Sequence, residues 1–420
     1  MLMGIPVAFS FLAVIIVGAP MIWGLGPGMS QVILSMSDSL MKFALIPLPL
    51  FILMGDVIFH SKIAPDMMDA LDKWIGRLPG RLSLMAVTGG ALFSTLTGTS
   101  LASTAMLGET LIPEMEKRGY KKPMSIGPIL GSGGLALMIP PSALAVLLGA
   151  VGEISIGRIL IAIIGPGLLM AILYGGYIII RCILQPSIAP VYQVESAPLS
   201  KKLITFVKYI LPTGFIIFAV VGVIYAGIAT PTEAAATGAL SCFLFSLVQG
   251  RLTWDVMKKS MTSTLRITIM VFVIITGSQL FSQILAYSGA VNGLTEFVLG
   301  LPTHRMLILL AMQVVLLILG MFMNAQSIMM ITLPVFMPVV YALEFDPVWF
   351  AVIYLLNMEM ASTTPPFGLA LFVMKGVAPK GTIMSEIWSA AMPFLLLDVL
   401  AMAIIIIFPQ TALWLVQMMH

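Results

Sequence analysis

The chain has 420 residues, of which 60% are hydrophobic and only 9% are charged, and its mean hydropathy is +1.08. This composition excludes a soluble globular protein. The formal net charge of +3 is too small, and its basic residues too scattered among short loops, for a protein that binds nucleic acid. Apolar runs near the roughly 20 residues that cross a bilayer recur along the whole length. The sequence therefore predicts an all-α polytopic protein embedded in the lipid bilayer.

Residues typical of catalysis or metal binding are sparse. Cys182 and Cys242 each stand alone in an apolar run, and the three histidines are far apart, without the spacing of a zinc site. The sequence contains neither a nucleophile motif nor a cluster of His, Asp and Glu. We expect no enzyme activity and no cofactor.

The predicted elements fall into five regions. Residues 1–43 hold an N-terminal span, which ends at the breaker-rich segment from Gly24 to Gly28, and an amphipathic segment. Residues 44–152 form a first repeat unit, and residues 153–260 hold central spans and a cytoplasmic linker. Residues 261–376 form a second repeat unit, and a C-terminal span occupies residues 377–420.

The first unit is predicted to have four parts. A span ends near Phe59, and an amphipathic arm at 62–81 suits a helix that lies in the membrane interface. Residues 82–112 then form a re-entrant hairpin, because small and hydroxyl-bearing residues from Thr95 to Thr104 interrupt an apolar run. The fourth part is a helix at 124–151 that is broken in its middle.

Two adjacent prolines break this helix at Pro140 and Pro141, and a second pair follows at Pro365 and Pro366. Proline lacks an amide hydrogen and clashes with the carbonyl one turn earlier, so each pair opens its helix and frees carbonyl oxygens. Free carbonyls at membrane depth are tolerated only where they line a cavity or bind something. A matched pair of broken helices points to the binding site of an ion-coupled secondary transporter.

The second unit repeats the order of the first. Gly277 follows Gly55 by 222 positions and Pro365 follows Pro140 by 225, so the offset hardly drifts. Basic residues are frequent in the arm and loops of the first unit, whereas the loop at 343–347 in the second has none. By the positive-inside rule the first hairpin enters from the cytoplasm and the second from outside. The units are therefore predicted to be inverted repeats.

Both hairpin turns and both breaks carry neutral oxygen ligands, which suit a hard alkali cation, and half-helix N-termini there favour an anionic substrate. The predicted substrate-binding residues are Gly98, Thr99, Ser100, Pro140, Pro141, Ser142, Glu359, Pro365 and Pro366. The predicted sodium ligands are Thr99, Ser100, Ser103 and Ile139 at one site, and Gly320, Asn324, Ser362, Thr363 and Thr364 at the other. The alternative is that these small residues only let helices pack closely.

Four acidic residues fall in or beside apolar runs: Asp56, Glu109, Glu359 and Asp398. Any such residue is a functional candidate. Glu359 is the best placed, just before the second break, where it either shapes the cavity or pairs structurally. The other three are interpreted as structural.

Several passages resemble the large membrane subunit of tripartite ATP-independent periplasmic (TRAP) transporters, within the ion transporter superfamily. The most specific are the segment Leu111 to Tyr120, which ends in Arg-Gly-Tyr, then Ile139-Pro-Pro-Ser142, Thr230-Pro-Thr-Glu-Ala-Ala235 and Thr364-Pro-Pro-Phe-Gly368. The resemblance implies an elevator-type transporter in the bacterial inner membrane. It also implies a small four-helix membrane subunit and a periplasmic substrate-binding protein as partners, and import of a small organic acid with sodium. This chain departs from the family at Asn324, where an acidic residue is usual.

Two other readings remain open at the level of sequence. One is a stand-alone sodium- or proton-coupled carrier of dicarboxylates or other anions from the same superfamily, which needs no partner. The other is a membrane-embedded enzyme or an assembly subunit without transport of its own. The sequence does not name the substrate.

Overall fold

The computed structural model describes residues 7–76, 78–97, 100–190 and 198–419, with side chains left undescribed at 64 and 93–97. Every regular element in these residues is helical, as the sequence predicts. Helices of the first half are α1 (Val7–Trp23), α2 (Leu25–Leu40), α3 (Pro47–His60), α4 (Ile63–Ile75), α5 (Arg81–Thr97), α6 (Ser100–Lys117), α7 (Lys122–Ser125), α8 (Gly127–Met138), α9 (Ala143–Val151), α10 (Ile156–Ala162) and α11 (Ile164–Leu184).

The second half begins after a loop. Its helices are α12 (Leu199–Thr205), α13 (Leu211–Tyr225), α14 (Pro231–Val248), α15 (Trp254–Tyr287), α16 (Ala290–Leu299), α17 (Arg305–Gly320), α18 (Ala325–Ala342), α19 (Pro347–Thr363), α20 (Leu369–Val377), α21 (Met384–Ile407) and α22 (Gln410–Gln417). Short 3-10 turns lie at Phe43–Leu45 and Pro186–Ile188, and a π-helical turn at Phe206–Ile210 joins α12 to α13.

Seven helical segments in the described part of the chain are long and apolar enough to cross a membrane, and a bent pair makes an eighth. The bent pair is the first broken helix, in which the segment Lys122–Met138 meets α9 at 45°. The peptide bond between the prolines is cis in both breaks. The predicted polytopic helical fold is confirmed.

The order of elements in the second half resembles that in the first. A span (α3), an arm (α4), a helical hairpin (α5 and α6) and a broken helix (α8 and α9) make the first unit. The second unit has the end of α15, then α16, the hairpin of α17 and α18, and the broken helix of α19 and α20. In both hairpins the two helices pack against each other.

The helices pack in two groups. A frame consists of α1, α2 and α3 packed with α13, α14 and α15. A central group surrounds the two broken helices, with α5, α6, α11 and α21 around α8, and with α17 and α21 around α19. Every residue of α8 and nearly every residue of α19 is buried. The two helices that lead into the breaks therefore lie inside the protein.

Helix starts near the breaks are capped by the residues that the sequence offers. Ser142 accepts a hydrogen bond from the Ala145 amide at the start of α9, and Asn324 Oδ1 accepts one from the Ser327 amide, 2.8 Å away, at the start of α18. Short polar side chains satisfy amides that have no partner inside the helix. A capping box is also present at Thr230 and Glu233, at the start of α14.

Candidate functional site

A cavity of about 130 Å³ lies where the two hairpins meet the two broken helices. Ser100 and Leu101 enter it from α6, and Asn324 and Gln326 from the start of α18. The second hairpin also contributes Gly320, Met323, Ala325 and Ile328. The remaining wall comes from both broken helices: Leu137, Leu144, Met358, Glu359, Ala361, Ser362 and Leu369. The cavity thus joins the four elements that the sequence marks as irregular.

The structure brings most of the predicted site residues to this cavity or directly behind it. Lining it are Ser100, Gly320, Asn324, Glu359 and Ser362. Buried near it are Ser103, Ser142, Thr363 and Thr364. Gly98 and Thr99 lie outside the described residues.

The four prolines lie beside the cavity and do not line it. Pro140 faces an apolar groove of about 340 Å³ between α5, the start of α11 and α13, and Pro366 is exposed. This placement follows from their role, since they interrupt the helices and leave the polar groups on either side of each break to face the cavity. Ile139 lines the same groove as Pro140.

Several buried polar atoms around the cavity have no hydrogen-bond partner within the described part of the chain. They are Ser100 Oγ, Thr104 Oγ1, Ser327 Oγ and Glu359 Oε2. Buried polar groups are nearly always paired, and an unpaired one needs an explanation. These atoms are the ones that a bound ligand or ion can satisfy.

Two hydroxyl groups at the second break, unlike the unpaired atoms above, already donate hydrogen bonds. Thr364 Oγ1 donates to the carbonyl of Met360 at 2.6 Å, and Thr363 Oγ1 donates to the same carbonyl at 3.1 Å. A hydroxyl that donates its hydrogen keeps its lone pairs as acceptors. Both threonines can therefore still offer an oxygen to a cation.

Glycines in α8 allow the close packing at the first hairpin and the second broken helix. A Cβ on Gly133 would collide with Thr104 Oγ1, and a Cβ on Gly134 would collide with the carboxyl group of Glu359. Gly320 has the same relationship with Ala361. Sequence reasoning missed Gly133 and Gly134, although two adjacent glycines in a broken helix were a usable signal.

The acidic residues that the sequence singled out lie in different environments. Asp398 on α21 accepts a hydrogen bond from the Tyr174 hydroxyl of α11, and both side chains are buried. Glu109 is exposed. No signal in the sequence pointed to Tyr174, because its partner lies 224 positions away.

A second cavity, of about 260 Å³, adjoins the first and shares Leu144 and Gln326 with it. It extends between α3, α9 and α15 to Asp56 and His60. Asp56 accepts hydrogen bonds from Ser263 Oγ at 3.0 Å and from Thr264 Oγ1 at 2.8 Å. This space connects the first cavity to the end of α3 that precedes Lys62.

Two polar contacts join the frame to the central group away from the second cavity. Ser278 Oγ on α15 donates to the carbonyl of Met330 on α18 at 2.5 Å. Lys42, in the loop after α2, forms an ion pair of 3.2 Å with Glu153, in the loop after α9. The first cavity therefore adjoins the second on one side, and on the other side these contacts link the frame to the central group.

The fold is shared by two solved transporters. The YdaH transporter of Alcanivorax borkumensis superposes with a TM-score of 0.69 and 13% sequence identity, covering 98% of each chain. MtrF of Neisseria gonorrhoeae, described as an antimetabolite efflux pump, superposes with a TM-score of 0.68 and 13% identity, covering 98% of this chain and 95% of its own. At this identity the likeness concerns the fold alone.

Sequence comparison identifies the family. The model of the DctM component of the tripartite ATP-independent periplasmic transporter matches residues 1–411. The C4-dicarboxylate TRAP transporter large permease protein DctM of Rhodobacter capsulatus is 31% identical over 87% of this chain and 85% of its own length. The ectoine TRAP transporter large permease protein TeaC of Halomonas elongata is 28% identical over 99% of this chain and 96% of its own. This chain therefore belongs to the DctM family of TRAP transporter large permeases, which are multi-pass proteins of the bacterial inner membrane.

Proposed function

We propose that this chain imports a small organic acid of the carboxylate type with sodium, by an elevator movement of its central helix group. The observation that carries the proposal is the cavity at the two hairpins and two breaks, which Ser100 lines with an unpartnered hydroxyl group. Helix N-termini at Ser142 and Asn324 start at the same place and favour a negative charge. Family relatives named for C4-dicarboxylates and isethionate support an acidic substrate.

Two sodium sites would flank the substrate. The first would use Ser100 and Ser103 of the first hairpin, and the second would use Asn324, Thr363 and Thr364 of the second hairpin and break. Hydroxyl, amide and carbonyl oxygens are the ligands that hard cations prefer. Asn324 Oδ1 also caps α18, and a carbonyl oxygen can accept a hydrogen bond and still offer its second lone pair.

The packing in two groups supports the elevator movement. The central group would slide against the frame and carry the cavity from one side of the membrane to the other. If the basic loops lie in the cytoplasm, the second cavity opens inward, because it reaches the end of α3 that precedes Lys62. The structure would then represent an inward-facing state.

Large permeases of this family work with a small membrane subunit and a periplasmic binding protein. We extend this to a four-helix subunit and a substrate-binding protein dedicated to this chain. In that arrangement the binding protein selects the substrate, and the cavity needs to recognise only the acidic group.

Reconstitution into liposomes tests the proposal. C4-dicarboxylate, ectoine and isethionate would each be offered with the small subunit and the loaded binding protein, with an inward sodium gradient and a clamped membrane potential. Uptake that needs all three proteins and sodium is the expected result. Robust uptake by this chain alone would favour the stand-alone carrier, and uptake that follows a proton gradient and ignores sodium would refute sodium coupling.

A further inference from the structure

A buried hydrogen bond joins the side chain of Ser278 on α15 to the backbone of α18. Ser278 Oγ donates to the carbonyl oxygen of Met330 at 2.5 Å, and Ser278 is only 1% exposed. Helix α15 belongs to the frame, whereas α18 packs against α17 and α19 in the central group. A movement of the central group along the frame must therefore break this bond.

A proline explains why the Met330 carbonyl is available to Ser278. Pro334 lies inside α18, four residues after Met330. Because proline has no amide hydrogen, it cannot supply the hydrogen bond that the carbonyl four residues earlier accepts in a regular helix. A buried carbonyl without a partner is costly. In this conformation the hydroxyl group of a frame residue satisfies it.

The equivalent position of the first unit has different partners. Ser278 follows Asp56 of α3 by 222 positions, the offset that relates the two units. In the described part of the chain, the side chain of Asp56 accepts its hydrogen bonds from Ser263 and Thr264, which belong to the frame. The second cavity lies beside it and is lined by Asp56 and by Ala102 of α6. At equivalent positions, the frame therefore holds the second hairpin and leaves open space beside the first.

A polar cleft of about 260 Å³ lies next to the bond, between α15, α18 and the end of α9. Ser278, Gln279 and Ser282 of α15 line it, and it extends to Glu153, which is exposed. Water that enters this cleft as α18 moves away can pair with both the Ser278 hydroxyl and the Met330 carbonyl. Loss of the hydroxyl group therefore penalises this conformation and not the opposite one.

We propose that Ser278 is a latch, which holds the transporter in this conformation by pairing with the carbonyl that Pro334 leaves free. The inference rests on the elevator movement of the proposed function and adds a frame residue that sets how the two states are populated. Ser278 does not line the cavity at the hairpins and breaks. Its effect is therefore on the ratio of the two states and not on contacts with the substrate.

A distance measurement tests the latch without transport. Spin labels on Lys117→Cys, at the end of α6, and Lys258→Cys, near the start of α15, report the distance between the central group and the frame; both positions are exposed. The parent protein has Cys182 and Cys242 replaced by alanine and is reconstituted into liposomes with the small subunit. Electron–electron double resonance should resolve two distances. Ser278→Ala should shift their ratio toward the second state by roughly 5- to 150-fold, because a buried carbonyl loses its partner.

Thr276→Val is the matched control. Thr276 is also buried on α15, but its hydroxyl donates to the Phe272 carbonyl of the same helix at 2.9 Å. Its loss breaks no bond between the frame and the central group, so the ratio should stay within about twofold of the parent.

Pro334→Ala provides an independent variant. Alanine restores an amide hydrogen that can pair with the Met330 carbonyl inside α18. Since the carbonyl then has a partner in both states, this variant should shift the ratio in the same direction as Ser278→Ala. On the Pro334→Ala background, Ser278→Ala should change the ratio by less than about threefold.

The remaining outcomes overturn the inference, with folding of each variant checked by gel filtration and thermal unfolding. Two distances whose ratio changes in neither Ser278→Ala nor Pro334→Ala would refute the latch and leave the proposed function standing. An equal shift in Thr276→Val would assign the effect to α15 itself and refute the latch as well. A single distance in every variant, with and without sodium and succinate, would refute the elevator movement and the latch with it.

Discussion

The carboxyl group of Glu359 occupies the space that a side chain on residue 134 would need, so α8 and α19 meet at Gly134 and Glu359. These residues are offset by 225 positions, as are Pro140 and Pro365. They are therefore equivalent positions in the two repeats. One repeat supplies a glycine and the other supplies an acid, so the contact requires the two units to differ at this point.

This contact predicts a severe effect of Gly134→Ala. The added methyl group must displace the Glu359 side chain from a packed interior, and overpacking of this kind costs about 1–3 kcal/mol of stability. We expect a lower melting temperature in detergent and loss of uptake. Gly176→Ala on α11 is the matched control, because its Cβ would meet no other atom within 4 Å. Alanine in place of a helical glycine should stabilise the control by about 0.5–1 kcal/mol.

The inverted orientation of the repeats is tested by cysteine labelling. Lys117 ends the first hairpin in a basic region, and Ala342 ends the second hairpin beside a loop without basic residues; both positions are exposed. Single cysteines there, with Cys182 and Cys242 replaced, should react with an impermeant maleimide from opposite sides of the membrane. Labelling of both from the same side would contradict the inverted arrangement.

Much of the fold follows from local chemistry that a sequence displays. Apolar length predicts the spans, and paired prolines predict the breaks, because both effects act within a few residues of the chain. The capping box at Thr230 and Glu233 is local in the same sense, because its two residues lie within one turn of α14. The repeat offset then relates the two halves without any three-dimensional information.

The site was only partly predictable, because its contacts depend on packing between distant segments. Tyr174 pairs with Asp398 across 224 positions, and Glu359 meets Gly134 across 225. Nothing near Tyr174 in the sequence shows that an acid will face it. The prolines were predicted as binding residues because they mark the breaks, but the structure turns Pro140 toward the groove beside α13.

Sodium coupling predicts a selective effect at both hydroxyl sites. Ser103→Ala and Thr363→Ala each remove an oxygen from a buried polar position, and loss of such a contact costs about 1–3 kcal/mol. Sodium affinity should fall by roughly 5- to 150-fold, since 1.4 kcal/mol corresponds to a factor of ten. The measurement is uptake rate against sodium concentration at fixed pH and membrane potential.

Thr110→Ala provides the control for these variants. Thr110 lies on α6 with Ser103, is exposed, and donates to the Met106 carbonyl in its own helix. Its removal should leave the sodium dependence unchanged. An equal loss in Thr110→Ala would assign the effect to helix stability and not to sodium binding.

Elevator movement predicts that a covalent link between the frame and the central group stops transport. Lys42 and Glu153 form such a bridge at 3.2 Å between the loop after α2 and the loop after α9. An exposed ion pair contributes at most about 1 kcal/mol, so the double variant Lys42→Cys/Glu153→Cys should fold and transport before treatment. On a background in which Cys182 and Cys242 are alanine, a short thiol cross-linker should abolish uptake, and a cleavable linker should restore it after reduction. The control pair is Glu114→Cys/Arg118→Cys, which joins the last turn of α6 to the residue that directly follows the helix, two positions that already form an ion pair. The same reagent should leave uptake by that variant unchanged, because no boundary between the groups is crossed. Full uptake by the cross-linked Lys42→Cys/Glu153→Cys protein would show that the central group does not move past this point of the frame.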